Sequence, residues 1–428
     1  ELLVGAGLSG TLAGWDLDFA LSRFDMLEND TWSTTLDPVT GLFPVSGLYM
    51  DEGDDGWTAF EVLAERAFGN HAIATGLSHA AYSFDTPVYA TDDWQAASNK
   101  ALRNASGGET RLSGVFVEDA IRVSPKWLAT LGLRAESWEA SDGYLFNTGT
   151  ELSYESRSET ALSPKAALTF SPDRRWAFTA SAAQATRFPT VQELYQAGLI
   201  QYGADVGAVD LGGFDPDLKP EEALDLQLTA TASFKKAILT VSLFRQDVED
   251  TLFTQTIAIP APGAPGDLVQ QSLVSNIGEV RTDGIDFIAA LEDVLIDGLS
   301  IDANLSLLDA TITENPLNPD LEGNRFPRVP DKRANLSVRY VPSADWLFAA
   351  GWRYQDTPDR NIENTSNSVC DTYYCVTGFS IVDVKATRWI GPVALSAGID
   401  NINDERAFVF HPYPGRTAML EIKWDGGR

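Results

Sequence analysis

The sequence predicts an all-β protein, a transmembrane antiparallel β-barrel with long extracellular loops and short periplasmic turns. Three observations carry that prediction. About seventeen segments of roughly ten residues each are apolar at every second position. Very short turns alternate with long polar connections along the chain. Tryptophans recur beside the short turns. The alternation is explicit in Leu224, Leu226, Leu228, Ala230 and Ala232, interleaved with Asp225, Gln227, Thr229, Thr231 and Ser233. It recurs in Leu299, Ile301, Ala303, Leu305 and Leu307, interleaved with Ser300, Asp302, Asn304 and Ser306. Side chains on a strand point alternately to its two faces, so each segment has one greasy and one wet face. A membrane barrel shows the first to lipid and lines its lumen with the second. A soluble β-rich adhesin would instead bury every greasy face in a core, and would extract into buffer without detergent.

Composition fits the membrane reading. A net charge of −30, with 61 acidic against 31 basic residues, excludes a general nucleic-acid binder. No apolar run approaches the ~18 residues of a membrane helix, which a barrel does not need. No shift in composition divides the 428 residues, so a single barrel domain over 1–428 is expected. The chain starts at Glu1 without a signal peptide. Asn-x-Ser/Thr triplets such as Asn104-Ala105-Ser106 are chance matches in a bacterial surface protein.

Along the chain, Val4–Gly10 (VGAGLSG) first offers a dinucleotide-binding fingerprint in Gly5, Gly7 and Gly10, with Glu28 following. That motif needs a helix after it, yet Trp15, Leu17, Phe19 and Leu21 alternate with Asp16, Asp18 and Ser22 at strand period. Small residues on a lumen-facing or closely paired strand explain the glycines better. The first long connection holds Asp51, Glu52, Asp54 and Asp55, which could bind calcium through carboxylate oxygens or simply be a solvated acidic loop. Short turns follow at Ser124-Pro125-Lys126, Ser171–Arg175, Phe234-Lys235-Lys236, Pro342–Asp345 and Ile390-Gly391-Pro392. Trp127, Trp176 and Trp346 sit just after such turns and Trp389 just before one, as in an interfacial aromatic girdle. The long connections span 27–56, 85–108, 139–158, 187–221, 249–278, 310–332, 356–378 and 401–415. Counting back from a last strand that ends in the periplasm puts every short turn on that side. Cys370 and Cys375 lie close together in a polar loop, which suggests a small disulfide in an oxidising compartment. An odd strand number is anomalous for a single-chain bacterial barrel, and points to strands lost before Glu1.

Several stretches in the second half resemble TonB-dependent receptors, the plugged outer-membrane transporters of Gram-negative bacteria. Thr186-Arg187-Phe188-Pro189-Thr190, leading to Glu193-Leu194-Tyr195, is similar to that family's F-R-A-P…E-L-Y box. Asp215-Pro216-Asp217-Leu218-Lys219-Pro220-Glu221 resembles its N-P-x-L-K-P-E box. Asn276-Ile277-Gly278 with Arg281–Asp286, including Gly284, is similar to its N-x-G-x-x-x-T-x-G-x-E segment. Asn324–Pro330 precedes a strand as in the family. Asn401–Asp404, then Pro414-Gly415-Arg416-Thr417 and an aromatic closing strand, complete the series, although Asp425-Gly426-Gly427-Arg428 follow the final aromatic. The resemblance implies a barrel of about 22 strands, of which about 17 are present, wide enough to need an internal plug. It implies uptake driven by TonB through an N-terminal region, and this chain shows neither a plug nor an energy-coupling box.

A loop-lined mouth binds ligand through aromatics and a few placed polar groups, which makes Tyr195, Tyr202, Tyr373, Tyr374, Phe410, His411 and Tyr413 the candidate contacts. Haem-carrying relatives keep a histidine between the first two boxes, and none lies between Pro189 and Asp215 here. Three Met and three His (His71, His79, His411) are a poor set for a copper carrier. Scattered histidines also offer no catalytic constellation, so an enzyme is not expected. A ferric siderophore is the expected cargo, with no bound cofactor except that calcium. Oligosaccharides or small aromatic compounds are the alternatives, and a passive porin is a further one. Acidic loops would disfavour anionic substrates at low salt. Outer-membrane lipid, lipopolysaccharide and TonB are the expected partners.

Overall fold

In the computed structural model, the described residues are 1–34, 43–51, 53, 55–147, 149–195, 198–200, 209–210, 217–260, 268–365, 375–409 and 411–424. Seventeen long strands among them make one antiparallel meander. They are β1 Leu2–Leu12, β2 Trp15–Asp25, β3 Gly56–Phe68, β4 His71–Thr91, β5 Ala101–Ser124 and β6 Trp127–Asn147. Next come β7 Arg157–Phe170, β8 Trp176–Arg187, β9 Glu221–Phe234, β10 Ala237–Glu249, β11 Glu279–Glu292 and β12 Leu299–Glu314. The last are β13 Lys332–Ser343, β14 Trp346–Gln355, β15 Phe379–Ile390, β16 Val393–Asp400 and β17 Thr417–Trp424. Each pairs with its successor in sequence. Among the described residues β1 pairs only with β2 and β17 only with β16, so both outer edges of the sheet are open.

Directly opposed residues share a face, and the register makes one face apolar throughout. Trp127, Phe170, Phe178, Ala230, Val241, Phe287, Leu305, Ala334 and Tyr354 form a single row across β6 to β14. The row starts beside the short turn before β6 and ends near the far end of β14. That steady stagger is what tilted strands in a barrel wall require. Leu131 and Leu228 stand 54% and 60% exposed on this face, which only an apolar solvent makes favourable. Trp127 stacks on Phe170 at 4.5 Å, Trp176 on Phe178 at 5.9 Å and Trp346 on Phe348 at 5.5 Å, a ring of aromatics at the short-turn end. Trp389 departs from the expected girdle: it lies opposite Ala394, in phase with Thr387 and Lys385 on the polar face. At the other end the apolar band gives way to ion pairs, Arg245 to Asp283 at 2.7 Å and Arg281 to Asp247 at 2.5 Å, in phase with Leu243.

The opposite face is a ladder of polar pairs. Thr229 bonds Ser242 at 2.9 Å, Ser306 donates to Asp286 at 2.6 Å, and the Asn335 amide donates to Asn304 at 3.0 Å. Arg353 meets Asp383 at 3.0 Å and Lys385 meets Glu421 at 3.0 Å. Two glycines of the fingerprint lie on this face, Gly5 opposite Ser22 and Gly7 opposite Ala20 inside β1, whereas Gly10 lies opposite Leu17 on the apolar one; a second strand follows where a helix would be needed.

Two of the expected long loops are mostly sheet. β4 continues to Thr91, β5 begins at Ala101 and β6 runs to Asn147, so the connections there are only 92–100 and 148–156. Gly107, Gly108 and Gly143 read as loop, yet they are strand positions that need a bare backbone. A Cβ on Gly108 would come 2.8 Å from the Tyr195 ring, and one on Gly143 would overlap that ring. The connection 250–278 likewise contains a hairpin, Leu252–Pro260 against Leu268–Asn276.

Candidate functional site

Arg187 ends β8, and the chain then turns inward over the polar face. Pro189 is fully buried, and Thr190 caps the five-residue helix α1, Val191–Tyr195. The Thr190 amide donates to Glu193 Oε2 at 2.8 Å, and the Glu193 amide donates back to Thr190 Oγ1 at 3.2 Å. This reciprocal box lets so short a helix hold, because it satisfies donors that have no intrahelical partner. Val191 and Leu194 are fully buried, and Tyr195 stacks on Tyr154 at 5.2 Å while Phe188 stacks on Trp138 at 5.6 Å. With Leu218 and Leu252 these side chains form the larger apolar core, set against β5 and β6 rather than between two sheets. Burial raises the Tyr195 phenol and pushes that of Tyr154 up to about 12.

The boxes read in the sequence turn out to be fasteners between connections. The Arg187 guanidinium donates to Glu221 at 2.6 Å and to Glu193 at 3.1 Å, joining both ends of the β8–β9 connection. Glu221 also accepts the Leu252 amide at 2.6 Å, which anchors the outer hairpin. Asn276 accepts from the Lys219 amide at 2.9 Å and donates to the carbonyls of Lys219 at 3.0 Å and Asp250 at 2.6 Å. Leu218 is fully buried beside Pro220 and these clips; Pro216 lies outside the described residues. Gly278 has φ +81° and passes so close to Glu314 that a Cβ would come 2.5 Å from its carbonyl oxygen. Gly284 lies under the Phe244 ring, where a Cβ would overlap it. Near the last strand, Arg416 Nε donates to the Ile402 carbonyl at 2.9 Å, and Asn401 Nδ2 reaches the Pro414 carbonyl at 3.3 Å. A Cβ on Gly415 would come 3.4 Å from an Asp404 carboxylate oxygen.

Two cavities open on either side of Thr190–Gln192. One, of about 580 Å³, is bounded by Thr254 and Gln255 of the outer hairpin, by Arg328, and by the segment 360–363. Four successive outer connections therefore contribute to it. The other, of about 540 Å³, lies against the polar face and is lined by Trp57, Tyr82, Leu112, Trp138 and Phe188. The first lobe is polar, with two guanidinium groups and two carboxylates, and the second is largely aromatic. Together they suit a ligand with a charged or oxygen-rich part and a flat apolar part.

The candidate ligand residues do not gather in either lobe. Tyr195 is only 2% exposed and packs under the strap, so as a ligand contact it is corrected to a packing residue. His411 and Tyr413 are exposed on a separate loop, where Tyr413 meets Phe379 at 5.7 Å. Tyr202, Tyr373, Tyr374 and Phe410 lie outside the described residues. Cys375 is fully buried and disulfide-bonded, and Cys370 lies outside the described residues. Of the expected calcium ligands, Glu52 and Asp54 also lie outside. Asp51 accepts the Gly53 amide at 3.1 Å and Asp55 the Asp85 amide at 2.9 Å. Among the described residues no three His, Cys, Asp or Glu side chains are grouped to hold a metal. Sequence reading missed Gln192, Thr254, Gln255, Arg328 and Arg360, whose one signal was arginine within otherwise acidic outer connections.

Residues 5–402 match the sequence profile of the family described as TonB dependent receptor-like, beta-barrel. A curated relative, the probable TonB-dependent siderophore receptor PiuA of Acinetobacter baumannii, is 22% identical over 335 residues, 73% of this chain and 40% of that protein. The crystal structure of PiuA superposes with a TM-score of 0.71 at 18% identity, covering 99% of this chain and 64% of PiuA. The ferric citrate transporter FecA gives 0.70 at 17% identity, over 98% of this chain and 60% of FecA. The copper transporter OprC gives 0.72 at 16% identity, over 99% and 65% of the two chains. The chain thus spans well under two thirds of the curated relative it matches.

Proposed function

The chain belongs to the TonB-dependent receptor β-barrel family of the Gram-negative outer membrane, and from that membership we propose that it serves TonB-driven uptake of a ferric siderophore. The observation that carries this reading is the two-lobed cavity, built where four outer connections meet the polar face of the wall. A passive porin has no need to fasten its loops around a half-open pocket. The fasteners Arg187, Glu221 and Asn276 spend charge-assisted hydrogen bonds on that shape. The role is transport and not catalysis, with the cargo as the only small-molecule partner and lipid and lipopolysaccharide against the apolar face.

Closure of the wall belongs to the same proposal. β1 and β17 both run toward the short-turn side, because the sheet has an odd number of antiparallel strands. Only an odd number of further strands can join these two edges in antiparallel register, and orphan backbone groups facing lipid cost several kcal/mol each. Five strands of about ten residues would close the ring at 22, leaving a lumen wide enough to need a plug. That further segment is where TonB would act.

The test is uptake of radiolabelled iron by a deletion strain and its complemented parent, on a panel of ferric siderophores, with and without TonB. Iron uptake lost on deletion and on removal of TonB is the expected result. Uptake indifferent to TonB would make this a porin. A growth defect confined to oligosaccharide or aromatic carbon sources would move the cargo to those classes.

A further inference from the structure

Eight short turns join neighbouring strands on one side of the wall, and every lysine and arginine in them falls in three consecutive ones. These are the turns from β5 to β6, β7 to β8 and β9 to β10, which carry Lys126, Arg174, Arg175, Lys235 and Lys236. The chain as a whole has a net charge of −30, and the next turn, from β11 to β12, holds Asp293 and Asp297 instead. The one carboxylate within the three turns is Asp173, which is already engaged. It accepts the Arg175 amide at 2.7 Å and the Trp176 amide at 3.1 Å. Those amides, and then the charges of Arg175 and Lys126, hold the Asp173 carboxyl below its usual range, so cations of two turns stand near one acid. Lys236 is held by the Asp293 carbonyl at 2.7 Å and by Asp297 at 3.8 Å. Lys126, Arg174, Arg175 and Lys235 are exposed and have no ion-pair partner among the described residues. The Arg175 guanidinium lies 5.3 Å over the Phe234 ring, and Phe234 is in phase with Ala230 and Leu228 on the apolar face. That cation therefore stands on the lipid side of the wall.

The lipid face directly above these turns is hollow. Two adjoining depressions, of about 540 and 740 Å³, share Leu168, Ala180, Leu228 and Leu243. The lower one starts at Trp127, Phe170 and Phe178, and the upper one reaches Arg245. Register supplies the reason: Ala180 lies between Leu168 and Leu228, and Ala182 between Ala166 and Leu226. Two alanines in phase lower the floor along β8, while Leu168, Leu226 and Leu228 stand as walls. The stretch from Phe178 to Ala182 covers about 13 Å of strand, close to the ~15 Å of hydrocarbon in one leaflet. Arg175 immediately precedes β8, so the groove descends onto the cations.

The geometry points to a phospholipid site, in which an anionic phospholipid of the periplasmic leaflet lays an acyl chain along β8 and sets its phosphate among Lys126, Arg174, Arg175 and Lys235. Lysine and arginine give a phosphate charge-assisted hydrogen bonds, and the groove gives the chain a surface shaped to it. Lipopolysaccharide does not fit, because the arginines at the outer end are taken, Arg245 by Asp283 and Arg281 by Asp247. A second copy of the chain does not fit either, since a two-fold contact through this face would bring both cationic arcs together. The site faces lipid and is independent of what the receptor carries.

Native mass spectrometry of the detergent-purified full-length receptor, titrated with phosphatidylglycerol or phosphatidylethanolamine of identical acyl chains, tests the assignment. Phosphatidylglycerol should be retained about ten-fold more tightly, and rising salt should erase the difference. The variant K126Q/R174Q/R175Q/K235Q should lose that preference and bind phosphatidylethanolamine as before. Ala180→Leu, with every charge intact, should weaken both lipids by filling the groove. Glycerol phosphate should displace neither, which separates a lipid site from a bare phosphate site. Heat-modifiable gel migration shows that each variant is folded. Equal retention of the two lipids, or a preference that the quadruple variant keeps, would overturn the proposal. So would displacement by glycerol phosphate, tighter retention of lipid A than of phosphatidylglycerol, or a dimer that excludes lipid.

Discussion

Replacing Leu305 with arginine tests the face assignment on which the membrane reading depends. Leu305 lies opposite Phe287 and Ala334 in the apolar row, midway up β12. A guanidinium there must enter hydrocarbon, and at the bilayer midplane costs about 2–4 kcal/mol. Asn304, its immediate neighbour, points the other way and accepts a hydrogen bond from Asn335 at 3.0 Å. Arginine at 304 forfeits that bond, worth about 1 kcal/mol, and gains a polar surface that includes Asp286 and Ser306. The two variants should therefore differ by about 2 kcal/mol, roughly thirty-fold in the folding equilibrium. The full-length protein would be folded into phospholipid vesicles and titrated with guanidinium, with folded protein counted by heat-modifiable migration. Depth supplies an internal control on β10. Arginine at Val241 should cost more than arginine at Leu243, which neighbours the native Arg245–Asp283 pair where the band ends. Equal penalties at 304 and 305, or a larger one at 304, would refute the assignment of faces.

The other expectations follow from the strap, the loops and the titratable groups. Gly143→Ala should displace the Tyr195 ring and cost about 1–3 kcal/mol by overpacking, with Tyr195→Leu relieving much of it; thermal unfolding reads both. Arg187→Ala strips donors from Glu193 and Glu221, but its side chain is 43% exposed, so the loss should be only about 1 kcal/mol and appear as faster hydrogen exchange at the α1 amides. The Tyr154 phenol, moved from 10 to about 12 by burial, stays protonated in the folded state after the unfolded chain has ionised. Its contribution is therefore complete below pH 10 and lost between pH 10 and 12, and the ultraviolet titration of Tyr154→Phe should lack one phenol that ionises near pH 12 in the parent. Alkylation under non-reducing conditions should leave both cysteines unmodified, with mass spectrometry as the readout; two alkylated thiols would exclude the bridge.

Much of the architecture was written locally. Period-two patterns such as Leu299–Leu307 identify strands and faces without any tertiary information, because a strand exposes alternate side chains to two solvents. Short turns marked by proline, glycine and lysine set the hairpins, and the wall strands follow from them in order. The box residues Arg187, Glu221, Asn276 and Gly278 were likewise visible as motifs, though what they do was not. Only the fold showed that Arg187 bridges Glu193 and Glu221 across 34 residues of chain, and that Asn276 clips Lys219 at a separation of 57. The same holds for Gly108 and Gly143, which look like loop and are strand because a tyrosine from another connection fills the space above them. Tyr195 reads as a mouth aromatic and is core for that reason. Trp389 lies in sequence where a girdle residue should, and register alone turns it to the polar face. The cavity left only its arginines as a trace in the sequence, since its walls come from four connections. Alternation is a property of neighbours along one strand, and a pocket is a property of loops that meet only after the wall has formed.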